Sequence, residues 1–258
     1  CLAVNTTLLS LNLCGCNIIP AGVRELADML QVNSTLTDLD LSGHDKIREG
    51  AVALAEAVMV NRGLRCLNLS WVEMDADGAS RMAEAVRVHS TLRELSLSGN
   101  TAIGDDGICA MAHALEVNTV LTSLDVSSTG MTDVGAQALA GALTTHNATL
   151  TRLIINGITD AGIIIIADAL RVNRSLRALH LLGNNIDVEG AQALLDAIRV
   201  GGSTVDMLSL FTPATFTRAP GATLLDMSDC DSMPDGRMML MCAYLSSDAG
   251  AWVRELKL

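Results

Sequence analysis

Aromatic residues make up only 2% of this 258-residue chain, and lysine occurs at two positions, Lys46 and Lys257. With 29 acidic residues against 17 basic ones, the formal net charge is −12. Affinity for nucleic acid comes largely from Lys and Arg neutralising phosphates, so this balance argues against a nucleic-acid partner. It fits a basic protein partner, or simply a soluble surface. Long apolar runs are missing as well. Half of the residues are hydrophobic, yet stretches such as Ile163 to Ala167 fall far short of the roughly 18 apolar residues that a membrane helix requires.

Chemistry-bearing motifs are equally scarce. The seven cysteines (Cys1, Cys14, Cys16, Cys66, Cys109, Cys230 and Cys242) are odd in number and form no C-x-x-C; Cys14 and Cys16 make a C-x-C without a second pair, which does not support zinc. Reduced, buried cysteines fit the cytosol or nucleus. No glycine-rich phosphate loop, H-E-x-x-H or G-x-S-x-G is present. The histidines His44, His89, His113, His146 and His180 share no common spacing. Neither an enzyme nor a cofactor or metal site is expected.

What the chain does contain is a repeat. The stretch Leu121 to Ala148, LTSLDVSSTGMTDVGAQALAGALTTHNA, opens with Leu121, Leu124 and Val126 spaced as L-x-x-L-x-L. That spacing predicts a short strand with Leu124 and Val126 turned inward and Ser123, Asp125 and Ser127 outward. A turn over Ser128 to Thr132 leads through Asp133 and Gly135 into a helix whose Leu139, Ala140 and Leu143 form one apolar stripe. The equivalent first leucine recurs at Leu8, Leu36, Leu64, Leu92, Leu121, Leu150, Leu176 and, as valine, Val205, at intervals of 26 to 29 residues. Each turn ends in a glycine, from Gly22 through Gly50, Gly78, Gly107, Gly135 and Gly162 to Gly190, with large apolar residues four and eight positions later. A strand and helix this small cannot bury their own apolar face, so the copies must stack as a solenoid.

These repeats resemble the ribonuclease-inhibitor type of leucine-rich repeat, also found in NOD-like receptors and Ran GTPase-activating proteins. The strings LTSLDVSSTGMTDVGAQALAGAL and LRELSLSGNTAIGDDGICAMAHALEVNTVL carry the resemblance, which runs from Leu8 to Val205. It implies an α/β horseshoe with parallel strands on the concave face and helices on the convex face. The fold hosts several functions and fixes none. Three are in view: a non-enzymatic module gripping a protein or peptide, a GTPase-activating regulator of the Ran type, and the sensor arm of a NOD-like receptor. No residue constellation here can be assigned to GTPase activation.

The whole of 1–258 is expected to be one such domain of about nine repeats, irregular over 205–236. After the strand at Val205, Leu208 and Leu210 comes FTPATFTRAPGA, whose Pro213 and Pro220 exclude a helix interior. A loop over 211–221 is expected there, either a decayed repeat or a binding loop. Cys1 to Asn5 matches the helix tail that precedes each strand, and Val253, Leu256 and Leu258 look like a further strand. Both ends suggest a piece of a longer chain.

Several polar residues are expected to be structural. Asn33, Asn61, Asn118 and Asn173 each stand three residues before a strand leucine, whether or not a glycosylation triplet follows. The ninth repeat position carries Cys16, His44, Asn100, Thr129, Asn184 and Cys230, where a side chain can satisfy backbone groups under the turn. The serine row Ser42, Ser70, Ser98 and Ser127 suits a crowded strand surface. Acids at the helix starts (Glu49, Asp77, Asp106, Asp133, Asp160 and Glu189) favour the helix dipole.

Recognition is then left to the outward strand positions. Early repeats place Asp38, Asp40, Glu94 and Asp125 there; later ones place Ile154, Ala178, His180, Leu182, Met207, Phe211 and Leu224. An acidic region beside an exposed apolar anchor would suit a protein partner with a basic, apolar segment.

Overall fold

A computed structural model describes residues 2–44, 47, 50–145, 147–199 and 205, together with the strand backbone at 207–209, 215–217, 224–226 and 255–257. Strand and helix alternate: β1 (Ser10–Asn12), α1 (Pro20–Val32), β2 (Asp38–Asp40), α2 (Ala51–Val60), β3 (Cys66–Asn68), α3 (Ala76–Val88), β4 (Glu94–Ser96) and α4 (Gly104–Val117). The series continues with β5 (Ser123–Asp125), α5 (Asp133–Thr145), β6 (Arg152–Ile154), α6 (Asp160–Val172), β7 (Ala178–His180), α7 (Val188–Arg199) and β8 (Met207–Ser209). The strands pair in chain order and parallel, each leucine opposite the next: Leu11, Leu39, Leu67, Leu95, Leu124, Leu153, Leu179 and Leu208. Neighbouring strands lie about 4.8 Å apart whereas packed helices need about 8–10 Å, so the stack curves with its strands inside. This is a leucine-rich repeat solenoid.

The core is one continuous column rather than a series of separate cores. Leu36, Leu39 and Leu41 of one repeat are buried with Leu64, Leu67 and Leu69 of the next, and the helices add Leu54, Met82, Met111, Leu139, Ile166 and Leu194 from the glycine-phased positions. The glycines themselves mark where a helix start meets the preceding repeat. A Cβ at Gly162 would stand 2.4 Å from Oδ1 of Asp133, a carboxylate whose Oδ1 accepts from the Thr159 backbone N–H and whose Oδ2 accepts from the Thr159 hydroxyl. Asp133 thus binds the next repeat as well as favouring its own helix dipole, and Asp160 repeats the arrangement on the N–H of Asp187. Glu49 lies outside the described residues.

Asparagines join the repeats on the other side of each helix. Asn61 donates through Nδ2 to the carbonyls of Leu30 and Asn33, while its Oδ1 accepts from the N–H groups of Gly63 and Leu64. Asn33, Asn118 and Asn173 are bonded the same way, and Asn147 closely so. Their amide nitrogens are buried and committed, so the triplets at Asn33, Asn147 and Asn173 serve the ladder. His89 takes this place in one repeat: Nδ1 accepts from the N–H groups of Thr91 and Leu92, but its buried Nε2 has no hydrogen-bond partner. At the ninth position, Asn100 donates to Leu69 and Leu97 and accepts from Val72 and Met74, so it also satisfies the neighbouring repeat, whose own ninth residue is the apolar Val72.

Two expectations need correcting. The cysteines are not uniformly buried: Cys14 and Cys16 are exposed and Cys66 and Cys109 half-buried, all four free. Cys16 lies on an exposed turn, where its thiol donates to the Cys14 carbonyl at 3.7 Å. The stretch 211–221 is not wholly loop, since β9 (Thr215–Thr217) pairs antiparallel with β8 and ends the parallel run. Beyond it, β10 (Leu224–Asp226) pairs in parallel with β11 (Glu255–Lys257) as a separate two-stranded sheet. Among the described residues, no helix is long and apolar enough to cross a membrane.

Candidate functional site: an acidic trough on the concave face

Zero register shift turns sequence positions into straight rows across the strands. One row runs Ser10, Asp38, Cys66, Glu94, Ser123, Arg152 and Ala178; the next runs Asn12, Asp40, Asn68, Ser96, Asp125, Ile154 and His180. Being two residues apart along each strand, both rows face the same side. Between them lies a trough of about 400 Å³ lined by Asp38, Asp40, Glu94, Asp125, Arg152 and Ile154, together with Cys66 and small polar residues of the same rows. Four carboxylates thus meet one guanidinium, at the far end.

The polar residues of the trough are tied to the frame. Asp40 Oδ1 accepts from the N–H and hydroxyl of Ser42, at 2.9 and 2.6 Å. Asp125 does the same with Ser127, and the neutral Asn68 does it with Ser70. Asn12 makes the corresponding bond to the N–H of Cys14. The serine row is structural: Ser70 bonds Ser96, and Ser98 bonds Ser127. Asp38 accepts from the Thr37 hydroxyl. Burial pushes the Cys66 thiol up to about 12, helped by its hydrogen bond to Asp38 and by the negative charge of Glu94 and Asp38, against a smaller opposing effect of Arg65. Such a thiol stays protonated and is a poor nucleophile. Among the described residues no group of three or more His, Cys, Asp or Glu could hold a metal ion.

The apolar part is smaller than the sequence alternation indicates. Ile154 and Leu182 are half-buried and Ala178 is buried, because neighbouring strands crowd them. Ile154 shares the trough with the carboxylates, between Asp125 and His180 in the row; Leu182 does not line it. Burial, then the Arg152 guanidinium, holds His180 below its ordinary range, with Asp125 opposing. Met207 is in register with Ala178 on β8, and Leu224 lies on β10 in the separate sheet. Phe211 lies outside the described residues.

One prominent residue was not among those singled out from the sequence. Trp71 is 60% exposed where the chain leaves β3. It occupies the eighth repeat position, filled elsewhere by Gly15, Gly43, Gly99, Ser128, Gly157 and Gly183, all with positive φ. The signal was available as a bulky aromatic in a column of glycines.

Comparison with known proteins agrees with this geometry. The Leucine Rich repeat family model matches residues 4–27, 32–55, 88–112, 117–140 and 172–195. The chain has the fold of a leucine-rich repeat protein. It is 36% identical over 91 residues to NACHT, LRR and PYD domains-containing protein 4E of Mus musculus, covering 34% of this chain and 9% of that protein. It is 33% identical over 112 residues to NACHT, LRR and PYD domains-containing protein 5 of Homo sapiens, covering 40% and 9%. Leucine-rich repeat-containing protein 45 of Gallus gallus is 31% identical over 105 residues, covering 39% and 16%. The chain therefore spans a small fraction of these relatives. Among solved structures, the Leiomodin-1 Actin-Binding Site 2 matches with a TM-score of 0.51 and 20% identity, over 61% of this chain and 90% of that one, which is a likeness of fold.

Proposed function

We propose that this solenoid is a non-enzymatic, intracellular recognition module whose concave trough holds an extended basic segment of a protein partner. The observation that carries the reading is a charge the fold does not require. Asp40 and Asp125 close their turns with a bond that Asn12 and Asn68 make without charge, so the negative potential is surplus to structure. Clustered charge in a concave surface steers and orients an oppositely charged partner. Ile154 would seat an apolar side chain of that segment at the trough's end, with His180 and Leu182 beyond it. The test is the double substitution Asp40→Asn/Asp125→Asn, which keeps both turns. Binding of an arginine-rich peptide should weaken and lose most of its salt dependence; unchanged affinity and salt dependence would refute the trough as the binding face.

Similarity to three NACHT, LRR and PYD domains-containing proteins favours a second reading at the level of the parent molecule, the sensor arm of a NOD-like receptor. It predicts a nucleotide-binding unit in the same polypeptide. A full-length transcript without one would exclude it.

A further inference from the structure

We propose that Trp71, three residues along the chain from Asn68 of the acidic trough, is an aromatic seat for an arginine side chain of the bound segment, with Glu73, exposed two residues further on, as its counter-ion. The inference rests on the trough reading above and adds a specific contact to it. Trp71 has φ +57° and Glu73 φ +56°, both in the left-handed region. Among the described residues only two other non-glycine residues, Asn17 and Ser128, share that conformation, and Asn tolerates it well. Two bulky left-handed residues in one short turn, one of them at a position where five repeats use glycine, are therefore an expensive choice. Strain of this kind persists where the surroundings hold it and concentrates at binding sites.

The turn is held firmly. The Trp71 N–H donates to Ser98 at 2.8 Å and its carbonyl accepts from the His44 N–H at 3.0 Å. Val72 and Met74 are buried while Trp71 and Glu73 are exposed, so the same short turn offers both the indole and the carboxylate to solvent. A Cβ at Gly99 would lie 2.3, 2.4 and 2.7 Å from indole Cδ2, Cε2 and Cγ. One face of the ring is thus backed by Gly99, and the side chain is substantially open to solvent on the rest. A ring fixed in this way loses little freedom on binding. Trp71 is also the only aromatic residue before Phe211. It immediately follows Ser70, whose hydroxyl is bonded to Asn68 in the trough lining. An indole face beside excess carboxylate selects a planar cation, which guanidinium supplies better than the compact ammonium of lysine.

The chain carrying Trp252→Phe leaves Trp71 as its single tryptophan. This protein is titrated with a fluorescein-labelled peptide of alternating arginine and alanine, with a lysine–alanine peptide of equal charge as the comparison. Anisotropy reads affinity and Trp71 emission reads contact. The arginine peptide should quench Trp71, and Trp71→Gly, which restores the common residue and leaves the net charge unchanged, should weaken its binding about 5- to 20-fold. The lysine peptide should lose less. Wild-type affinity in Trp71→Gly, with weakened binding in Asp40→Asn/Asp125→Asn, overturns the seat and leaves the trough standing. Weakening in Trp71→Gly alone keeps the seat and removes the trough. No binding of either peptide to the unsubstituted chain overturns both.

Discussion

Replacing His89 by asparagine should stabilise the solenoid, and by more in acid than at neutrality. His89 is 3% exposed and stands where other repeats carry asparagine. Its Nδ1 reproduces half of the asparagine's work, accepting from Thr91 and Leu92 at 3.2 and 3.0 Å. The other half is missing, because Nε2 is buried without a hydrogen-bond partner. Asn61 reaches carbonyls 31 and 28 residues earlier, and the corresponding acceptors for residue 89 are those of Val58 and Asn61. Two hydrogen bonds regained at about 0.5–1.5 kcal/mol each, less a small packing loss from the ring, give about 1–2 kcal/mol at pH 7.

Acid adds a second contribution. Burial, assisted by the positive charge of Arg62, pushes the His89 imidazole down to about 4 from its ordinary 6.5. Below pH 6.5 the unfolded chain therefore takes up a proton that the folded chain refuses, so stability falls as pH drops toward 4. With those two values the linkage relation gives a loss of about 2 kcal/mol between pH 7 and pH 5. Asparagine does not titrate. The gap between His89→Asn and the unsubstituted protein should therefore widen by about that amount over the same interval. Lowered titration of His180 acts equally on both proteins and cancels. Urea unfolding followed by far-UV circular dichroism at several pH values checks it. A gap that stays constant with pH, or a variant less stable at pH 7, would refute the reasoning.

Other substitutions probe the frame and the trough separately. Gly162→Ala should destabilise by about 2 kcal/mol, opposite to the usual benefit of alanine inside a helix, because its Cβ would displace Asp133 from Thr159; a rise in the thermal midpoint would contradict this. Asp40→Asn/Asp125→Asn should leave the unfolding free energy within about 0.5 kcal/mol of the parent, since asparagine closes the same turns at Asn12 and Asn68. A larger loss would mean that the charges are structural. Iodoacetamide at pH 8 should label the exposed Cys14 and Cys16 well before Cys66, whose thiol is pushed up to about 12, as read by peptide mass spectrometry; equal rates would show that Asp38 and Glu94 do not suppress its ionisation.

The repeat phase was legible because it is local: the first leucine, the glycine and the two apolar residues after it recur at nearly fixed spacing, and apart from the half-buried Leu8, Gly22, Leu26 and Ile198 each occupies a buried position. The asparagine before each strand was legible as a landmark, but not its bonds, which join residues 26 to 32 apart. For the site, the alternation along each strand correctly assigned Asp38, Asp40, Glu94, Asp125 and Ile154 to one surface. It overstated the exposure of Ile154, Ala178 and Leu182, because crowding by adjacent strands leaves no mark within a single repeat.

The amino-acid sequence by itself determined the solenoid, its strand and helix order and the sign of its concave charge. Those depend on side-chain type at a fixed period, which the chain carries residue by residue. Only the tertiary structure decided which charges are spare, which histidines bury a ring nitrogen without a hydrogen-bond partner and where the single early tryptophan stands. Each of these is set by what the neighbouring repeat, about 28 residues away, places against it at zero register shift.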